Sequence, residues 1–244
     1  MKRYYEAHED AYRRLSERGA DCWGGDDFDH VYMLSFLIQA LEHPAVIDRS
    51  LKQALVIGCG TGPLACALDQ RGFEVSGVDI SPTAIEMARQ EAARRGRHIH
   101  YWVGDLCRDE LGCEDYDLIV DSHCLHCIVP EADRQGALRS IHQALRPEGI
   151  FVLETMVGPL PNGPVSCDDE GIVWSRYGEI EPAFEPRVQR ADGDWYVPQR
   201  RLRHDKAALD DELRAAGFQI HWSREMPSSD TNGARDYQGI CGRR

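Results

Sequence analysis

No stretch of this 244-residue chain stays apolar for the roughly 18 residues that a membrane span requires. The longest candidate, Val31 to Leu41, is interrupted by Tyr32, Ser35 and Gln39 and reads as an amphipathic or core helix. The first ten residues, Met1 to Asp10, lack the apolar core of a secretory leader. Cytosol is therefore the expected compartment, with no membrane partner. Positive charge is also short: the formal net charge is −13, which opposes the concentrated basic field that a phosphate-tracking surface needs. No nucleic-acid partner is expected. The local run Arg200, Arg201 and Arg203 reads as a solvated face or an acid-binding edge. Internal repeats and low-complexity segments are absent. The nine cysteines are odd in number and have no secretory context, so free thiols are the reading. What is present, 42% hydrophobic and 28% charged residues, is the composition of an ordinary globular protein with one large core.

From Leu51 to Leu153 short apolar runs alternate with helical patterns, the sequence form of a parallel sheet covered on both faces. Strands are predicted at Ala54–Ile57, Glu74–Val78, His100–Val103, Asp117–Asp121 and Ile150–Leu153. Between them, Leu64 to Arg71 reads as a helix closed by Gly72. Ser81 caps a second helix with Pro82 at its first position, and a third starts near Pro130 and stops at Pro147. The rhythm then breaks. Residues 155–203 hold six of the 12 prolines and two aromatic clusters, Trp174/Tyr177 and Trp195/Tyr196. A segment of that length without helical periodicity tends to be functional, and a substrate cap is expected there. Regular structure is expected to resume at His204, with a helix before Gly217 and closing strands at Phe218–Trp222 and Tyr237–Ile240.

The sharpest signal is Ile57-Gly58-Cys59-Gly60-Thr61-Gly62, between a buried strand and a helix. Glycines there let the backbone turn tightly and approach a ligand, and the helix N-terminus offers unpaired N–H groups to an anion. A dinucleotide fingerprint would place glycine at position 63; Pro63 stands there instead, which suits a carboxylate better than a pyrophosphate. Asp79 ends the second strand and can accept both hydroxyls of a ribose. Asp105 at the third strand tip could accept from an adenine amino group, and Asp121 ends the fourth near the amino-acid end of such a ligand. Singly, each residue could be a turn glycine or a solvated strand-end aspartate. Their joint order points to a nucleoside-type cofactor at the carboxyl edge of the sheet.

Ala54 to Gly62, Gly77-Val78-Asp79-Ile80-Ser81 and Gly104-Asp105-Leu106 resemble the successive cofactor motifs of class I, Rossmann-like S-adenosylmethionine-dependent methyltransferases. Leu125-His126, Leu145-Arg146-Pro147-Glu148-Gly149 and Ala215-Ala216-Gly217-Phe218 are similar to further motifs of that family, with Glu148 departing from it at a turn. The resemblance covers about residues 51–153 and 204–240. It implies a seven-stranded, mostly parallel sheet with helices on both faces and an antiparallel last strand. Around it come an N-terminal helical lid region at 1–50 and a core at 51–244 carrying the cap insertion at 155–203 after the fifth strand. It also implies S-adenosylmethionine as cofactor and S-adenosylhomocysteine as product. Gly58, Cys59 and Gly60 would lie beside the methionine portion, Asp79 and Ile80 at the ribose, and Asp105 and Leu106 at the adenine.

Methyl transfer from a sulfonium is an in-line displacement that depends mostly on positioning, and a base is needed only where the acceptor must lose a proton. Beyond the fourth strand stands Asp121-Ser122-His123-Cys124-Leu125-His126-Cys127. His123 is either a catalytic base and acceptor-positioning group or a bystander, and His126 reads as a packing or hydrogen-bonding residue. The Cys-x-x-Cys pair with its histidines, and with Cys107 and Cys113 nearby, could hold zinc or a metalloid. Structural zinc sites usually pair two such half-motifs, and one is present, so no metal is expected. Trp23, followed by Gly24-Gly25, and Trp174 and Tyr177 are candidates for the acceptor pocket, or else members of a hydrophobic patch under the insertion. The Asn/Asp-Pro-Pro-aromatic run of base-amine methyltransferases after the fourth strand and any Pro-Cys dipeptide are missing. The expected acceptor is a small molecule, with a specialised metabolite preferred. A protein or metalloid acceptor, a non-catalytic cofactor-binding subunit and an NAD-dependent oxidoreductase are the alternatives. The accepting atom and the oligomeric state stay open.

Overall fold

Continuous apolar runs such as Ala54-Leu55-Val56-Ile57 belong to strands buried on both faces. The computed structural model, which describes residues 2–23, 27–112, 115–158, 166–227 and 234–244, builds seven of them into one sheet. They are β1 (Gln53–Ile57), β2 (Glu74–Asp79), β3 (His100–Val103), β4 (Tyr116–Ser122), β5 (Leu145–Val157), β6 (Phe218–Pro227) and β7 (Arg235–Arg243). Their spatial order is β6-β7-β5-β4-β1-β2-β3. The pairs β1–β2, β1–β4, β2–β3 and β4–β5 are parallel. β7 runs antiparallel to both of its neighbours.

The pleat divides each strand between two cores. Ala54, Val56, Leu118, Val120, Ile150 and Val152 face one side, with α2 (Leu34–Leu41), α3 (Pro63–Asp69) and α4 (Pro82–Arg94) packed on them. Leu55, Ile57, Ile119, Phe151 and Leu153 face the other, under α5 (Glu131–Ala144) and α6 (Lys206–Ala215). The helix starts follow local chemistry. Ser81 Oγ accepts from Ala84 N–H at 3.0 Å ahead of Pro82, and Asp205 Oδ1 accepts from Ala208 N–H at 2.9 Å.

β5 runs well past the expected Leu153, because Ile150–Val157 is zipped to Arg235–Gly242 of β7. The added residues Glu154 and Thr155 are polar yet buried, so an apolar run could not reveal them. The insertion also differs from expectation. Within 155–203 the described residues carry a four-stranded antiparallel sheet of Val188–Gln189, Trp195–Arg201, Ile172–Gly178 and Ser166–Cys167, in that spatial order. Irregularities at Trp195/Tyr196 and Pro198/Arg200 break its alternation, and a proline is tolerated at such a point. Phe184–Glu185 pairs in parallel with Lys2–Arg3, tying the N-terminus to the insertion. Residues 159–165 of the insertion, with Pro159, Pro161 and Pro164, lie outside the described residues.

The arginines at the end of the insertion form an acid-binding edge within the molecule. Arg203 meets Glu131 at 2.9 Å and Glu212 at 2.6 Å, and Arg201 donates to Val129 C=O and reaches Glu131 and Glu170. At the centre lies Arg134, whose side chain is 1% exposed. Its guanidinium donates to both Glu212 oxygens, at 2.6 and 2.9 Å, and to Leu125 C=O at 2.8 Å. Burial pushes the Glu212 carboxyl upward, but Arg203 and Arg134 outweigh it and hold the group at about 2. A buried charge that loses its partner is costly. Arg134→Met is therefore expected to lower stability by about 3–5 kcal/mol, read as a shifted urea midpoint at constant slope. The contribution of Glu212 is full above the ordinary carboxylate range and is lost as pH falls toward 2. The variant should consequently show a shallower acid dependence than the wild type.

Candidate cofactor and acceptor site

β1 and β4 are adjacent, and Ile57 lies in register with Asp121. The chain leaves β1 toward β2 on one side and returns at β4 on the other. This strand-order reversal opens a crevice at the carboxyl edge. The glycine turn emerges at that point, with Gly58 and Gly60 both at φ 55°. A Cβ on Gly58 would stand 2.6 Å from Cys124 Cβ and Sγ, and one on Gly60 2.7 Å from the Tyr12 hydroxyl. Neither position admits a side chain. Cys59 N–H donates to Val78 C=O at 3.0 Å, and the buried Thr61 Oγ1 has no hydrogen-bond partner among the described residues.

Asp79, at the tip of β2, braces this turn. Its Oδ2 accepts from Gly60 N–H and its Oδ1 from Ser81 N–H, each at 2.9 Å. Burial raises its pKa against these bonds and the neighbouring His8. A carboxylate offers about four acceptor positions, so Asp79 retains capacity for further donors. Ile80 is half-buried and Leu106 buried beside it in sequence order along the same edge. Asp105 is more heavily engaged: it accepts from Cys107 N–H at 2.9 Å, Tyr5 O–H at 2.9 Å and Arg108 Nη1 at 2.7 Å.

The partners supplied by α1 (Ala7–Glu17) and the short turn before it were not singled out in the sequence. Tyr5, His8, Glu9 and Tyr12 follow i, i+3, i+4, i+7 spacing, which is the signal that could have found them. Glu9 takes Ser81 Oγ and Thr83 Oγ1 at 2.6 Å each and Thr83 N–H at 3.1 Å, satisfying the start of α4. Burial works against its ionisation, but these bonds and Arg13 hold its carboxyl at about 2. Tyr12 is buried over Gly60 and packs on Trp23, 5.3 Å between ring centres. Trp23 itself is 57% exposed. Gly24 and Gly25 lie outside the described residues.

Across the crevice, Asp121 is fully buried and its carboxylate accepts from Cys124 N–H at 2.7 Å and Leu125 N–H at 2.9 Å. Burial lifts its pKa to about 6. Its visible work is to fix the turn that carries the two histidines. His123 sits at φ 66°, in the left-handed region, with Nδ1 4.0 Å from Glu154 Oε1 and Nε2 3.7 Å from Asp236 Oδ1. Burial pulls its pKa down, and the Asp236, Glu154 and Asp121 carboxylates outweigh it and move it up. His126 behaves oppositely. It is buried, its pKa is pushed well below the ordinary value by burial, and its Nδ1 lies 3.1 Å from Thr155 Oγ1 and accepts from Met156 N–H at 3.4 Å. It is a neutral, hydrogen-bonded core residue.

Burial raises the Cys124 thiol, and it raises the Cys127 thiol to about 11. Among the described residues no group of three or more His, Cys, Asp or Glu side chains is arranged to hold a metal ion; Cys113 lies outside them. The aromatic candidates are dispersed. Trp174 is buried and its indole N–H donates to Asp168 Oδ2 at 2.8 Å inside the inserted sheet, while Tyr177 is 49% exposed farther along the same strand. Trp195 and Tyr196 lie under Arg187 and Arg190. Trp23, on the α1 side, belongs to a different part of the structure.

Residues 54–149 match the family described as "Methyltransferase domain". The chain is 30% identical over 171 residues to the 2-heptyl-1-hydroxyquinolin-4(1H)-one methyltransferase of Mycobacteroides abscessus, covering 67% of this chain and 71% of that protein. This chain belongs to the S-adenosylmethionine-dependent methyltransferases. It is also 32% identical over 110 residues to the ubiquinone biosynthesis O-methyltransferase of Haemophilus ducreyi, covering 43% of this chain and 45% of that one. The match thus spans under half the length of that relative. Among solved structures, the fold is similar to the 1,6-didemethyltoxoflavin-N1-methyltransferase of Burkholderia thailandensis with bound S-adenosylhomocysteine. The TM-score there is 0.64 at 19% identity, over 98% of this chain and 88% of the other.

The cofactor of this family fits this edge through a buried Thr61 hydroxyl without a partner among the described residues and a carboxylate on Asp79 with acceptor capacity to spare. No helix among the described residues is long and apolar enough to cross a membrane. Because Glu9 caps α4 from α1, Glu9→Ala is expected to cost about 1 kcal/mol of stability. It should also speed proteolytic cleavage near residues 2–17, measured by timed digestion and mass spectrometry.

Proposed function

We propose that this methyltransferase moves a methyl group from S-adenosylmethionine to a small-molecule acceptor held at the carboxyl edge, with residues 1–50 as a lid and 155–203 as a substrate cap. The observation that carries this reading is the register of Ile57 with Asp121, which sets the glycine turn and the His123 turn on either side of one crevice. When bound, the cofactor supplies an electrophilic methyl carbon on a sulfonium. Gly58, Cys59 and Gly60 would meet its methionine portion, Asp79 and Ile80 its ribose, and Asp105 and Leu106 its adenine. Asp121 would act by shaping the turn beside the amino-acid end. His123, exposed enough to be reached, would face the acceptor, with Trp23 near the entrance. Trp174 would support the cap from within, and Tyr177 would border it.

Support for a small acceptor comes from the net charge of −13, which opposes a polyanion. The relatives and neighbour are also named for hydroxyquinolone, ubiquinone-biosynthesis and toxoflavin-type substrates. A specialised metabolite fits the insertion, which lies outside the matched residues 54–149. The family need not share a catalytic group, since alignment of acceptor and methyl carbon supplies much of the rate.

Calorimetry with S-adenosylhomocysteine and with NAD tests this assignment. The wild type is expected to bind the former and not the latter. Asp79→Asn, which keeps the shape of the side chain, should weaken S-adenosylhomocysteine at least about tenfold, or about 1.4 kcal/mol. NAD binding, or failure of the folded wild type to bind S-adenosylhomocysteine, would overturn it.

A further inference from the structure

We propose that His123 takes a proton from the acceptor, with Glu154 and Asp236 as its positioning residues, so that the methylated group is an acidic hydroxyl of the phenol or enol kind. This rests on the methyl-transfer reading above and narrows it.

The geometry begins with the backbone. His123 holds a left-handed conformation at φ 66°, which costs a non-glycine residue on the order of 1 kcal/mol or more. It is pinned there by its own N–H, which donates to Glu154 C=O at 2.8 Å, and by the Asp121 carboxylate gripping the next two amides. The conformation aims the imidazole between two strands. Glu154 comes from β5 and Asp236 from β7, and each stands opposite a different ring nitrogen, at 4.0 and 3.7 Å. Glu154 is held from behind: Gln238 Nε2 donates to its Oε2, and Arg224 Nε donates to Gln238 Oε1 at 2.7 Å. Among the described residues Asp236 Oδ1 is buried with no hydrogen-bond partner, an acceptor without a donor beside a ring nitrogen. The His123 side chain is 35% exposed, so a ligand in the crevice can reach it.

Other charged groups surround the ring. Asp121 lies beneath it on β4, His126 and Cys127 share its turn, and Arg200 of the insertion, Arg134 of α5 and His8 of α1 act on His126 or Cys127. The three carboxylates dominate, and the proton affinity of His123 is raised. Asp236, the nearer carboxylate and one in need of a donor, fixes a proton on Nε2, and Nδ1, 4.0 Å from Glu154, is then the position that gains and loses one.

Among acceptors, this machinery serves a hydroxyl. An arylamine is already neutral near pH 7 and attacks through its lone pair, and a thiol near pKa 8.5 ionises appreciably by itself. A phenol near 10 needs a base, and one that a strengthened imidazole can match. In the step, an oxygen lone pair forms the bond to the methyl carbon and the carbon–sulfur bond breaks with its electron pair left on sulfur. The hydroxyl proton passes to Nδ1. One positive charge is consumed at the sulfonium and one appears on the imidazolium between Glu154 and Asp236.

Two measurements decide the matter. In the first, histidine ring signals of the 15N-labelled protein saturated with S-adenosylhomocysteine are followed against pH, with His123→Gln for assignment. His123 should titrate above its ordinary 6.5, and the value should fall in Asp236→Asn and in Glu154→Gln while the thermal midpoint confirms folding. In the second, the probes are 2-heptyl-1-hydroxyquinolin-4(1H)-one and catechol, with benzylamine as the amine counterpart. Methylation of a hydroxyl probe should rise with pH to a plateau at the His123 value, and the plateau should move to lower pH in Asp236→Asn. His123→Gln should lower kcat by about 10²–10⁴-fold with S-adenosylhomocysteine affinity within about twofold. A titration at or below the ordinary value, a pH-independent kcat, an undiminished kcat in His123→Gln, or methylation of benzylamine alone would overturn the proposal. Those results with S-adenosylhomocysteine still bound defeat only this inference. Loss of that binding in the wild type defeats the parent reading.

Discussion

The parallel pairing of β1 with β4 is the constraint from which the chemistry of this methyltransferase follows. Once Ile57 is in register with Asp121, the residues after each strand must leave from neighbouring points on one edge. One departure is the glycine turn, the other the turn bearing His123 and His126. The two approach so closely that Gly58 has no room for a Cβ against Cys124. Asp79 and Asp121 play matching parts on either side. Each is a buried carboxylate with two backbone N–H partners, and each converts a strand end into a fixed turn. For Asp79 the bracing leaves acceptor positions free for further donors. For Asp121, deeper and fully covered, shaping the backbone is the work that the geometry displays.

The insertion is coupled to this edge through charge more than through apolar contact. Among the described residues, the separate buried cluster it joins is small, Met156, Val173 and Leu202 with Ala234 from just before β7. Arg134 instead links α6 through Glu212 to the histidine turn through Leu125, with Arg201 and Arg203 converging on neighbouring acids. Burying a guanidinium is unfavourable unless every donor is answered, so the arrangement tolerates few alternatives. A displacement of the insertion would strand charges rather than merely slide apolar surfaces. The same network therefore ties the position of the insertion to the turn that carries His123.

Why some of this could be read from the sequence and some could not has a physical basis. β1, β2 and β4 are central, buried on both faces, and so announce themselves as apolar runs; the glycine turn does so because closeness of approach removes side chains. β7 and the end of β5 are built otherwise. Glu154, Thr155, Asp236 and Gln238 are polar residues in strands, with Gln238 donating to Glu154 across the ladder, and no single-strand pattern encodes that. The acidic partners of His123 were invisible for this reason: they stand 31 and 113 residues away in the chain and meet it only through the β5–β7 register. The inserted sheet escaped because its bulges at Tyr196 and Arg200 destroy alternation. The stripe Tyr5, His8, Glu9 and Tyr12 was legible in principle, since its spacing is helical. Its polar members conceal it from a search for apolar faces. Trp174 looked available because an aromatic beside prolines suggests a pocket, yet its indole N–H is already committed to Asp168.

His123 and His126 show how one short turn produces two different residues from the same side chain. They are three positions apart and their rings pack edge to face at 5.6 Å. His126 points into the sheet, where no anion compensates the loss of water, and the Met156 amide requires an acceptor at Nδ1; both conditions favour the neutral ring. His123 points out toward the two strand ends, where the ladder delivers a carboxylate to each nitrogen. The left-handed backbone at His123 produces this divergence, because a residue in ordinary helical geometry would continue the turn and carry its ring elsewhere. Backbone strain at one residue thus separates a structural imidazole from one with a raised affinity for a proton.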